Sequence, residues 1–90
     1  MINSKQALLK ALKESKIKAF KTLKNDSSGK WVGIERTPGD KIQTNAFTIL
    51  SPKENGELTL SWTWLNQIES IKNNLITYKG GIIIIKIIEK

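Results

Sequence analysis

An α+β fold is predicted: an N-terminal amphipathic helix packed on a mainly antiparallel sheet of about five or six short strands, flat or strongly curled. Three observations predict it. Leu8, Ala11, Leu12 and Ser15 recur at helical spacing behind two capping residues, Asn3 and Ser4. From Trp31 onward, short apolar runs alternate with Pro-, Gly- and Asn-containing turn segments. The 90 residues leave room for one core, so residues 1–90 are read as a single domain.

The helix begins at Ser4, with Gln6, Lys10, Lys13 and Glu14 opposite its apolar face. The next stretch, "SKIKAFKTLK", supports two readings. As helix to Lys24, it continues the apolar face with Ala19, Phe20 and Leu23 and leaves Lys10, Lys13, Lys18, Lys21 and Lys24 opposite. Ile17 then sits on the wrong side. As a strand following a helix that ends near Ser15, it leads naturally through "NDSSG" into the next strand, although Phe20 breaks strict alternation. The strand is the preferred reading.

"KWVGIER" (30–36) alternates as a strand, "TPGD" (37–40) reads as a Pro-Gly turn, and "NAFTIL" (45–50) as a strand. Asn55-Gly56 is a hairpin signal. In the strand that follows, "ELTLSWTWL" (57–65), Leu58, Leu60, Trp62 and Trp64 share one face and Glu57, Thr59, Ser61 and Thr63 the other. That division places the two tryptophans in the core. Trp31 is the better candidate for exposure, being out of phase with Val32 and Ile34; packing under a loop or on the helix is its alternative. Arg36 falls on the opposite face from Trp31 if the strand is regular. "NQIESIKNN" (66–74) suits one or two helical turns, and "LITY" and "IIIIKII" around Lys79-Gly80-Gly81 form a closing hairpin. That last run is apolar on both faces. Either both faces are layered, or the sheet curls into a small barrel, or one face meets another chain.

Composition excludes several chemistries. There is no cysteine and no histidine, hence no disulfide, no thiolate zinc site and no His-dependent nucleophile. "SSGKW" (27–31) lacks the first glycine and the Ser/Thr of a phosphate-binding loop and reads as a hairpin loop. Asp26, Asp40, Glu54 and Glu57 belong to turns, and Glu35 and Glu69 form no evident acid/base pair with them. A non-enzyme without cofactor or metal is expected. No run approaches the length of a membrane span, and Lys10 and Lys13 interrupt any signal-peptide apolar stretch, so an unprocessed cytoplasmic protein with no membrane role is the expectation.

The net charge of +7 is concentrated early. Residues 1–30 carry eight lysines against Glu14 and Asp26. Such asymmetry suits an acidic or phosphate-bearing partner, while an AT-rich genome's use of lysine as general solubiliser would produce the same composition. The residues expected to meet a partner are Lys10, Lys13, Lys18, Lys21, Lys24, Lys30, Trp31 and Arg36. The leading expectation is a small non-catalytic protein-binding module facing an acidic protein surface, of the kind an inhibitor or accessory protein of a phage or mobile element would be. The alternatives are a nucleic-acid binder of modest specificity and an obligate homo-oligomer such as a homodimer.

Overall fold

The computed structural model describes residues 1–25 and 31–90. Asp26, Lys30 and the loop read at 27–31, except Trp31, lie outside them. The described residues form one helix, α1 (Lys5–Lys13), and seven strands: β1 (Ile17–Asn25), β2 (Glu35–Ile42), β3 (Ala46–Pro52), β4 (Leu58–Trp64), β5 (Ile68–Lys72), β6 (Leu75–Tyr78) and β7 (Ile83–Glu89). They make one antiparallel sheet in the order β4-β3-β2-β1-β7-β6-β5, curled into a half-barrel. The fold class is as predicted, but the sheet has seven strands rather than five or six.

The Ser4 side chain accepts from the Ala7 amide at 3.1 Å, capping α1. At the other end Ser15 takes a left-handed conformation, φ 56°. Its amide donates to Leu12 and that of Lys16 to Ala11, at 3.1 and 2.9 Å, the double bond of a Schellman stop. That stop decides between the two readings of residues 16–24, in favour of a strand.

The strand failed the alternation test because it is bulged twice. Register shifts fall between Ile17 and Ala19 and between Thr22 and Lys24. Each inserts one extra residue, so Ile17, Phe20, Thr22 and Asn25 all turn inward and all are buried. Bulges bend a strand and increase its twist. β2 bends as well. The segment expected to be a Pro-Gly turn is instead inside β2, and the expected strand at 30–36 begins only at Glu35, after a turn at 31–33. Between Pro38 and Ile42 the register against β3 slips. There the Thr48 hydroxyl accepts from the Lys41 amide and donates to the Lys41 carbonyl, both at 3.1 Å, replacing ladder bonds the bulge gives up.

Residues 66–74 also differ from expectation. One short 3-10 turn, Leu65–Gln67, is present, and the rest is strand β5 and a two-residue turn at Asn73-Asn74. Both asparagines have positive φ, 50° and 65°, as a tight primed hairpin turn requires. Their side chains and backbone tie down the start of the chain. The Asn74 Oδ1 accepts from the Ile2 amide at 2.6 Å, and the Asn3 Oδ1 from the Asn73 amide at 2.8 Å. The closing hairpin of β6 and β7 is as predicted.

With the sheet curled, its inner face and α1 enclose one core containing Leu8, Leu12, Phe20, Phe47, Ile76 and Ile87. The Phe20 and Phe47 rings stack across it, centroids 5.9 Å apart. β7 is an interior strand, so Ile85 and Ile87 turn into the core while Ile84 and Ile88 are half-buried on the outer face. Curling is thus the answer to its two apolar faces.

A Cβ at Gly39 would overlap the Thr48 hydroxyl and lie 2.7 Å from its Cβ. Gly39→Ala is expected to lower stability by about 1–3 kcal/mol, as overpacking does, read by urea denaturation. An unchanged midpoint would show that β2 does not hold this close approach.

Candidate functional site

Strands β3 and β4 are in full register from Ala46↔Trp64 to Pro52↔Leu58, with Phe47 opposite Thr63 and Ile49 opposite Ser61. Directly opposed residues share a face. Since Phe47 and Ile49 point into the core, Thr63, Ser61 and Thr59 lie on the inner side of the sheet, Thr63 buried and the other two exposed, and the apolar side of β4 points outward. The register follows from the loop between them, closed by Lys53 N–H to Glu57 and Gly56 N–H to Lys53 bonds of 2.8 and 3.0 Å. The prediction that Trp62 and Trp64 are core is therefore corrected. Leu58, Leu60, Trp62 and Trp64 are 60, 43, 37 and 42% exposed. The two indoles stack on one another, centroids 6.1 Å apart. β4 is also the edge strand of the sheet, paired on one side only.

The same outer face carries a lysine row. Lys21 stands opposite Lys86, Lys86 opposite Leu75, and Leu75 opposite Lys72. Lys24 lies opposite Ile84, one pair further along. Glu35, opposite Lys21, ends the row. Thr37 links the two features, being opposite Leu50, which is opposite Leu60. The eight residues expected to meet a partner are thus divided. Lys21 and Lys24 belong to the outer sheet face. Lys10 and Lys13 occupy the last turn of α1, and Lys18 sits in the first bulge of β1 with Lys90 nearby. Lys72 and Lys86 were not singled out from the sequence, because only strand register brings them beside Lys21.

Trp31 and Arg36 form a separate site. The turn at 31–33, with Gly33 at φ 81°, folds Trp31 over Arg36, whose guanidinium carbon is 5.3 Å from the ring centroid. The expectation that they occupy opposite faces is corrected for that reason. Arg36 is opposite Phe20 and so projects from the core face. Its Nη1 donates to the buried Thr22 hydroxyl at 2.7 Å. α1 covers the other end of the core; this end is open, and a cavity of about 440 Å³ lies there between Trp31, Arg36, Ser61, Tyr78, Ile83 and Ile85. Burial lowers the Arg36 pKa from its usual value, opposed by Tyr78. Burial raises that of the Tyr78 phenol, opposed by its hydrogen bond with Thr63 and by the Arg36 charge. Thr63 is in β4 and Tyr78 in β6, five places apart in the sheet order, so their contact spans the curl.

No group of histidine, cysteine or carboxylate side chains among the described residues is arranged to hold a metal ion. No helix among them is long and apolar enough to cross a membrane. Comparison with protein-family models, curated proteins and solved structures gives no match. The functional reading rests on the chemistry of these surfaces.

Two measurements check the assignment of faces. Trp62→Ala is expected to change stability by less than about 1 kcal/mol, whereas Phe47→Ala lowers it by about 3–5 kcal/mol; equal losses on chemical denaturation would return the indole to the core. Tyr78 is the one tyrosine, so phenolate absorbance reads it alone. Its folded pKa is raised, so the neutral phenol's contribution to stability is complete below the unfolded value of about 10 and is lost as pH rises through the higher folded value. The titration midpoint of the folded protein should lie above that of the urea-unfolded chain, and Tyr78→Phe should remove this part of the alkaline loss. Coincident midpoints would place Tyr78 in solvent.

Proposed function

We propose that the protein is a non-catalytic binding module whose partner is another protein, engaged by the outer face of the half-barrel at β4. The observation that carries this reading is the exposed stripe Leu58, Leu60, Trp62 and Trp64 on an edge strand. Aromatic and aliphatic side chains of this kind supply most of the affinity of protein interfaces, and an edge strand offers unpaired backbone groups to an added strand. The lysine row of Lys21, Lys86 and Lys72 on the same face favours a partner with acidic residues flanking its apolar contact, and the net charge of +7 speeds encounter with it. An inhibitor or accessory role suits such a module, because docking alone is enough to block or position a larger protein.

A second reading has one observation in its favour. Exposed tryptophans and lysines share a face, as on platforms that bind single-stranded nucleic acid. Protein is preferred because residues 54–71 contain no basic residue to meet phosphates beside the indoles, and Glu57 directly precedes the strand that bears them.

The test pairs Trp62→Lys with Lys21→Glu/Lys86→Glu, both expected to keep the wild-type melting temperature within a few degrees. Wild type immobilised in a lysate of its host should retain a discrete protein that Trp62→Lys loses and the charge-reversed variant holds more weakly. Binding of a labelled single-stranded oligonucleotide whose log K falls linearly with log salt, with no protein retained, would replace this reading by the second. A concentration-dependent dimer abolished by Trp62→Lys would make the partner a second copy of the chain.

A further inference from the structure

The open end of the half-barrel has a different character from the outer face, although Trp62 lines it as well. A sheet core normally excludes cations, because an ionised group transferred from water to an apolar interior is costly unless it is paired. Arg36 is half-buried at the open end of that core. Its guanidinium projects from the same face as Phe20, and among the described residues its side-chain hydrogen-bond partner is the Thr22 hydroxyl. Thr22 is uncharged. The one ion pair between described residues is Lys16 with Glu14, on the surface, so no described carboxylate lies within ion-pair distance of Arg36. The face of Trp31 covers one side of the guanidinium and the cavity opens on another.

Apolar side chains, chiefly Trp62, Ile34, Ile49, Ile83 and Ile85, make up most of the cavity wall, and several hydroxyls, among them those of Ser61, Thr63 and Tyr78, line the rest. At about 440 Å³ it falls within the roughly 300–1,000 Å³ of small-molecule sites. A largely apolar cavity whose one cationic group among the described residues is a guanidinium fork selects for a ligand with an apolar body and one anionic head. The planar fork matches a carboxylate, which can accept two parallel N–H bonds from it. A phosphate monoester brings nearly two negative charges, and one guanidinium meets only part of that.

We propose that this cavity is a binding site for a small monocarboxylate with an aliphatic or aromatic tail, its carboxylate on Arg36 and its tail among the isoleucines. Trp31 then serves as a wall of the site and as its reporter, since a carboxylate on Arg36 lies within a few ångströms of the indole. The Thr22 hydroxyl acts as a positioning group: it holds Nη1 and leaves the remaining guanidinium donors directed into the cavity.

The experiment titrates the full chain, labelled with nitrogen-15, with octanoate and with 3-phenylpropanoate, using octanol and 3-phenylpropanamide as neutral counterparts. Octanoate should saturate with a Kd of roughly 0.01–1 mM, the affinity range open to a ligand of this size, shifting the Trp31 indole N–H and the amides of Thr22, Ile34 and Ile85. Octanol should bind at least about tenfold more weakly, since it forfeits the charged bidentate bond. Arg36→Gln keeps a donor for Thr22 and should lose octanoate affinity about tenfold or more, with octanol affinity little changed. Ser61→Trp, which fills the cavity from the β4 side and leaves the Arg36 side chain in place, should weaken octanoate and octanol alike. The proposal is overturned if octanoate produces no saturable shift at these residues, if octanol binds as well, if Arg36→Gln binds octanoate like wild type, or if the shifts map to Leu58, Leu60 and Trp64. The last outcome would mean that the outer stripe takes up apolar solutes unselectively. Trp62 lines the cavity as well as belonging to the outer stripe, so the two readings are told apart by Arg36→Gln, which leaves β4 unchanged.

Discussion

Everything else in the structure depends on the way β1 is bulged. Ile17, Phe20, Thr22 and Asn25 reach the same face of one strand only because an extra residue is inserted on either side of the Phe20-Thr22 pair. A regular strand would turn half of them outward. The two bulges, with the slip in β2 around Pro38 and Gly39, bend the middle of the sheet enough for one short helix and the sheet itself to enclose the core. A flat sheet of seven strands has two faces to cover, and 90 residues with a single helix cannot cover both. Curling reduces the problem to one face.

The same curvature makes the two surfaces with functional character. On the inside, α1 covers one end and leaves the other open, and there Arg36 and Tyr78 are partly desolvated while their polar atoms remain bonded to Thr22 and Thr63. No buried polar side-chain atom among the described residues is left without a partner. On the outside, the register of β3 and β4 carries the leucines and tryptophans of β4 away from the core. The two surfaces meet at Trp62, which belongs to the stripe on β4 and also lines the cavity.

Charge is distributed by register rather than by position in the chain. Lys21 and Lys86, far apart in sequence, stand directly opposite, a like-charge pair that slightly opposes sheet pairing. Their combined field covers the outer face and decays within about 8–10 Å at physiological salt. That is long enough to orient an approaching acidic surface and too short to contribute much to affinity once rims are hydrated.

The amino-acid sequence by itself determined the class of fold, the start of the helix at Ser4, the closing hairpin at Lys79-Gly80-Gly81 and the absence of histidine and cysteine chemistry, because these rest on local spacing, capping and composition. It also contained the signal for the Asn73-Asn74 turn, two residues that tolerate positive φ, but the isoleucines before them mimic helical spacing. Tertiary structure alone decided the rest. Alternation in "LTLSWTWL" shows that two faces differ, and the more apolar one is ordinarily the inner; which face turns inward is settled by pairing with Phe47 and Ile49, residues a dozen or more positions away. The bulges that place Phe20 and Ile17 together look, in one dimension, like a broken pattern. Trp31 meets Arg36 because a turn folds back over a strand, and Lys21 meets Lys86 because the last strand returns to the first. Local sequence carries short-range preferences of the backbone; it does not carry the register between distant strands, and here register decides what faces the solvent.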